Sequence, residues 1–155
     1  MIEQANQLIY FHFLTKPFFF PNRTQLKKFL VSIFHQENKN VEHINYIFCT
    51  DEYLLALNKQ YLHHNSYTDI ITFPLSLSNE PIFSDIYIST ERVKENARMF
   101  HTSFKQELHR VIIHGALHLC GYGDKNKQQT QQMRQREEHY LRKHFVSRGT
   151  NLPNL

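Results

Sequence analysis

At 155 residues the chain suits one domain, residues 1–146, with 147–155 (from the SRGTNLPNL end) expected as a disordered tail; 41% hydrophobic residues, 13 Phe and 8 Tyr supply a core without staples. Cys49 and Cys120 fit neither a secreted disulfide framework nor a paired-thiolate knuckle, and the N-terminal apolar run is broken by His12, Lys16 and Pro17, which argues against a signal peptide or membrane span and for a reduced cytoplasmic setting. The excess of 18 Lys and Arg over 14 Asp and Glu permits a polyanionic partner without requiring one, and 11 histidines supply many potential metal or proton ligands.

Residues 8–14 (LIYFHFL) are predicted to form a strand, so the chain is expected to begin strand, then helix. Pro21 and Asn22 open that helix, on which Leu26, Phe29, Leu30, Ile33 and Phe34 recur at helical spacing. A second strand over 43–49 alternates Ile44, Tyr46 and Phe48 on one side, and Thr50 or Asp51 then caps a short helix carrying Leu54, Leu55, Leu57 and Tyr61. The β-rich runs 68–73 and 82–89 read as neighbouring strands, separated by a loop with Pro74, Asn79 and Pro81. Ser89 or Thr90 caps a helix whose buried stripe is expected to hold Val93, Ala97 and Phe100. Ser103 with Gln106 then forms a capping box for a helix reaching about Leu119, which Gly121 and Gly123 terminate. The last helix, 126–145, is polar and Gln-rich, with only Met133, Tyr140, Leu141 and Phe145 to bury.

The run HGALHLCGYGD, residues 114–124, carries the chemistry. Residues four apart share a helical face, so His114 and His118 can aim at one ion, and the bend at Gly121 allows Asp124 to supply a third donor. Two imidazoles and a carboxylate, with a fourth position left for water, make an open zinc site of the catalytic type. Cys120 sits two residues after His118, on another helix face, and reads as packing. The bland alternatives are a packed or solvated histidine pair and an Asp124 that only caps the next helix. A zinc peptidase needs a general base directly after the first histidine, where this chain has Gly115; the glycine suggests instead a close approach of another backbone or a substrate.

The same run resembles the signature of the YbeY family, HGxLHLxGYDH, whose members are metal-dependent endoribonucleases of rRNA maturation and ribosome quality control. Leu57-Asn58 with Tyr61, the run 68–74 (TDIITFP) and the run 85–89 (DIYIS) agree in order with further family segments, covering roughly residues 40 to 140. The resemblance implies an α+β fold, a mixed sheet of about four strands packed with helices, and a zincin-like site on a helix holding one zinc ion per chain. It places the ligands at His114, His118 and Asp124, the last standing where the family has a third histidine. It also implies a single-strand-specific endoribonuclease acting at the 3′ end of small-subunit (16S) rRNA, with rRNA and the small ribosomal subunit as partners and no membrane. Leu62 departs from the family pattern too, which often has arginine after the tyrosine. Asp124 leaves a bound cation one unit less positive than a third imidazole would. These departures keep open a non-catalytic, metal-containing ribosome assembly factor.

Glu107, two helical turns before His114, is where the family often has glutamate, and it reads either as a group behind the ligands or as a solvated acid near the helix start. Asp69 and Asp85 occupy motif positions and are expected to hold backbone groups. Arg92, Lys94, Arg98, Lys105 and Arg110, on the two helices near the motif, are candidate RNA phosphate contacts or an ordinary solvated face.

Overall fold

A computed structural model describes residues 2–147. The elements run α1 (Ile2–Leu8), β1 (Ile9–Phe13), α2 (Arg23–Gln36), β2 (Val41–Cys49), α3 (Asp51–Leu62), β3 (Ile70–Pro74), β4 (Ile82–Ser89), α4 (Thr90–Met99), α5 (Phe104–Leu119) and α6 (Lys127–Ser147). The four strands form one sheet in the order β1-β2-β4-β3, parallel except for the antiparallel β3–β4 pair. The expected α+β architecture with a mixed four-stranded sheet is borne out, as is the pairing of β3 with β4. Of the expected tail only Ser147, the last residue of α6, falls among the described residues.

Alternation along the strands sets the layers. Ile44, Tyr46 and Phe48 of β2 lie opposite Ser84, Ile86 and Ile88 of β4 and opposite Ile9, Phe11 and Phe13 of β1, so one face is apolar almost throughout. On it α2, α5 and α6 bury Leu30, Phe34, Ile112, Ile113, Tyr140 and Phe145. The fully buried Tyr46 donates its hydroxyl to the Ile112 carbonyl at 2.9 Å, which pins the centre of the sheet to α5. The opposite face is smaller: Cys49, Ile71 and Leu54, with Leu57, Phe73 and Tyr87, pack beneath α3.

Local chemistry marks the helix starts. Thr50, Ser89 and Ser103, each in an extended conformation, accept hydrogen bonds from the backbone N–H groups of Tyr53, Arg92 and Gln106. That settles the two open caps in favour of Thr50 and Ser89. Gly115, in the middle of α5, faces the sheet: an added Cβ would lie 2.9 Å from Ile70 Cδ1 and 3.2 Å from Ile86 Cγ2. The close neighbours of this glycine are therefore side chains of β3 and β4, and its smallness seats the motif helix on the sheet.

Three expectations are corrected. The chain begins with helix α1 rather than a strand; its sequence IEQANQL shows no apolar stripe, and Ala5 is its buried hydrophobic residue among those whose side chains are described. Phe100 does not join the buried stripe of α4. That helix ends at Met99, His101 takes a left-handed φ of 55°, and Phe100 is left 56% exposed. Helix α6 buries Glu137 and His144 besides the four apolar residues expected.

Candidate metal centre

Helix α5 turns Glu107, Arg110, Val111, His114 and His118 toward one cleft of about 1330 Å³, walled on other sides by β3, the 64–69 segment, the end of α4 and the start of α6. The spacing explains this stripe, since steps of three and four residues stay on one helical face.

The helix then ends as a ligand-bearing turn. Gly121 takes a φ of +104°, which an L side chain rarely adopts, and the Tyr122 N–H returns to the Leu117 carbonyl at 3.1 Å. Reversal of the chain brings Asp124 back over α5. Its Oδ2 lies 3.4 Å from His114 Nε2 and 3.3 Å from His118 Nε2, and one donor atom from each of the three residues falls within 4.8 Å of the others. A tetrahedral zinc ion with legs of about 2.0–2.1 Å spaces its ligands by about 3.3 Å along each edge. The two histidine–aspartate distances fit that edge.

The remaining ring nitrogens are engaged. His118 Nδ1 donates to the Tyr122 carbonyl at 2.9 Å, and because a carbonyl only accepts, the proton sits on Nδ1 and the Nε2 lone pair is left for a cation. His114 Nδ1 lies 2.7 Å from Glu137 Oε2, a carboxylate–histidine pair of the kind that orients metal ligands. Burial opposes the charged form of His114, but its bond to Glu137 and the charges of Glu137, Asp69 and Asp124 outweigh this and hold its imidazolium above the ordinary range. Cation uptake at this donor set therefore displaces a proton.

Asp124 is not the cap of α6. That role falls to Asn126, whose Oδ1 accepts from the Gln129 N–H at 2.8 Å, which leaves the Asp124 carboxylate to the histidines. Cys120 packs against the core, and burial pushes its thiol up to about 12, so it stays protonated and a poor ligand. Leu62 lines the cleft at the end of α3.

Glu107 is 4% exposed and lines the cleft, where burial pushes its carboxyl up to about 7 against the opposing pull of Arg110. Asp69 lines it as well, its carboxyl raised by burial with His114 opposing, and its backbone carbonyl accepts from the Ser89 N–H. Asp85 accepts from the Asn45 amide at 3.0 Å. Among the five candidate cations, Arg110 lines the cleft and pairs with Glu137 at 3.3 Å. Arg92 is held by both carboxylate oxygens of Asp51, Arg98 pairs with Glu95, and Lys94 and Lys105 lie over the rings of Phe104 and Phe145. Sequence reasoning missed Glu137 altogether, and with it Arg134 and Lys125, which also line the cleft. Glu137 sits 23 residues beyond His114 on a polar helix, and no local spacing rule connects them.

The turn is fastened from outside by a second polar cluster. Glu37, at the end of α2, accepts from the Tyr122 hydroxyl at 3.1 Å, from Tyr140 at 2.7 Å and from Arg136 at 2.5 Å. Burial would raise the Glu37 carboxyl, but the hydrogen bonds from Tyr140, Arg136 and Tyr122 prevail and hold it below its ordinary value. A carboxyl depressed on folding stabilises the protein above its unfolded pKa, and that contribution is lost as pH falls through the folded value. Glu37→Gln is therefore expected to cost about 1 kcal/mol near pH 7. In urea titrations across the acid range, this difference should shrink as pH drops below the ordinary carboxylate range. A gap constant with pH would show that the Glu37 charge contributes nothing.

A model of the family described as Endoribonuclease YbeY matches residues 20–144. An Endoribonuclease YbeY of Christiangramia forsetii is 47% identical over 128 residues, 82% of this chain and 89% of that protein. One from Flavobacterium psychrophilum is 50% identical over 118 residues, 76% of this chain and 84% of that protein. The solution structure of TM1509 from Thermotoga maritima superposes with a TM-score of 0.64 at 27% identity, covering 96% of this chain and 99% of that one.

Proposed function

The chain belongs to the YbeY family, and from that membership we propose that it is a metal-dependent endoribonuclease that cleaves single-stranded RNA at the 3′ end of small-subunit rRNA. The observation that carries this reading is the convergence of His114, His118 and Asp124, with both histidine Nδ1 atoms already engaged and both histidine–aspartate distances at the edge length of a tetrahedral ion. We further propose one zinc ion per chain at a zincin-like site on α5, association with the small ribosomal subunit in ribosome quality control, and a cytoplasmic location. Among the described residues no helix is long and apolar enough to cross a membrane.

Bound zinc supplies Lewis acidity toward a phosphodiester and toward water. The protein's own groups set how far that acidity reaches. Two neutral imidazoles and one carboxylate leave a dication a net charge of about +1, so more of the attraction for phosphate falls to cleft cations. Arg110, Arg134 and Lys125 line the same cleft, which supports that role. Arg92, Lys94, Arg98 and Lys105 contribute longer-range attraction for RNA from α4 and the start of α5. Glu107 stands behind the ligands in the field of Arg110, whose guanidinium holds Glu137 and, through it, the His114 ring.

A non-catalytic assembly factor is the second reading, favoured by the uncharged Leu62 on the cleft wall and by the carboxylate at 124. The discriminating experiment incubates purified protein with a single-stranded 16S 3′ fragment, with and without chelator, then adds back zinc. Cleavage lost on chelation and regained with zinc is expected. RNA bound but uncut under every metal supplied would favour the assembly factor.

A further inference from the structure

Two large aromatic residues stand in solvent on the cleft wall. Tyr67 is 55% exposed and Phe100 56% exposed, and both line the cleft that holds the histidine pair. Leaving rings of this size uncovered forgoes apolar burial that would favour folding.

The Tyr67 ring is held on one face, and the backbone that carries both residues is anchored. The guanidinium of Arg92 lies 5.1 Å from the Tyr67 ring centroid, covering one face, and Asp51 grips Arg92 through both oxygens, with contacts of 2.6 and 3.4 Å. The segment bearing Tyr67 is clamped to α3, because the Asn58 amide donates to the Ser66 carbonyl at 2.8 Å and the His64 N–H returns to the Asn58 carbonyl at 3.2 Å. Phe100 is set by its N–H bond to Asn96, and the Asn96 amide reaches Asp69 at 3.4 Å, which ties the end of α4 to the Tyr67 segment. Exposed aromatic rings on anchored backbone, in the wall of a cleft that carries cation donors, suit the π-face of a flat, polar-edged ligand better than they suit a protein helix.

We propose that Tyr67 and Phe100 form a shelf on which unpaired bases of single-stranded RNA stack while the adjacent phosphodiester reaches the His114–His118–Asp124 site. This rests on the endoribonuclease reading and deepens it, because bases in a duplex already stack on each other and cannot open their faces to the shelf without melting. Arg110, Arg134 and Lys125, in the same cleft, meet the backbone charge that accompanies each base.

Binding of a single-stranded oligoribonucleotide carrying 2-aminopurine is measured by fluorescence in chelator, where cleavage is silent, beside a duplex of the same sequence. Tyr67→Ala and Phe100→Ala are each expected to weaken single-strand binding by about 5- to 150-fold, the range for removing one base–aromatic stack. Tyr67→Phe and Phe100→Tyr should restore it, and duplex binding should not change. If Tyr67→Ala loosens its segment, Phe100→Ala carries the test, since its ring is not part of the core. Single-strand affinity indifferent to both alanines, equal weakening of the duplex, or no single-strand binding by the unmodified protein would each overturn the shelf. Alanine-sensitive binding without cleavage in any metal would leave the shelf standing and overturn the nuclease reading.

Discussion

Replacing His118 with alanine is expected to abolish RNA cleavage and to lower zinc affinity by more than the about 10- to 100-fold typical of losing an outer partner. The reason is geometric. Asp124 Oδ2 sits 3.3 Å from His118 Nε2 and 3.4 Å from His114 Nε2, so removal of one imidazole leaves two donors and no tetrahedral cradle. Folding should survive, because the His118 side chain is 26% exposed and belongs to neither core cluster. Thermal melts with and without zinc provide the check. A ligand at about 100 times its dissociation constant stabilises the folded state by about 2.7 kcal/mol, an increment that the variant should lose while its chelated melting temperature stays near that of the unmodified protein. Undiminished zinc stabilisation in His118→Ala would reduce the histidine pair to packing.

The second large effect is expected at a residue with no ligand role. Glu137→Gln keeps a group of the same shape beside His114 Nδ1 and Arg110 but removes the charge that both face. Zinc affinity should fall by about 10-fold or more. The pH dependence should change with it. In the unmodified protein Glu137, with Asp69 and Asp124, outweighs burial and keeps the His114 imidazolium stable to higher pH, so protons compete with the metal over a wider range. With the charge gone, burial weighs more heavily against the imidazolium, and the pH below which zinc affinity begins to fall should move down. Competition against a chromophoric chelator across the range around neutrality separates the two consequences. An unaltered midpoint would mean that Glu137 does not set the proton on His114.

Much of this molecule was legible along the chain because its signals are periodic and local. The alternation of Ile44, Tyr46 and Phe48 announces a half-covered strand, the caps at Thr50, Ser89 and Ser103 announce helix starts, and the spacing of His114 and His118 announces a shared face. Helix α1 was not legible because it lacks an apolar stripe, and Phe100 misled because its spacing fits a core position one residue past the point where the helix stops.

By itself the sequence determined the elements that follow from neighbour-to-neighbour geometry: the motif helix, its glycine-broken end and the types of donor atom it carries. Tertiary structure alone decided that Asp124 faces the histidines while Asn126 caps α6, that Glu137 stands behind His114, and that Glu37 holds the Tyr122 turn from the far end of α2. The Glu137 and Glu37 contacts join side chains 23 and 85 residues apart in sequence. Such pairs follow from how α2, α5 and α6 pack on one sheet face, and backbone periodicity carries no information about which of their polar groups will meet.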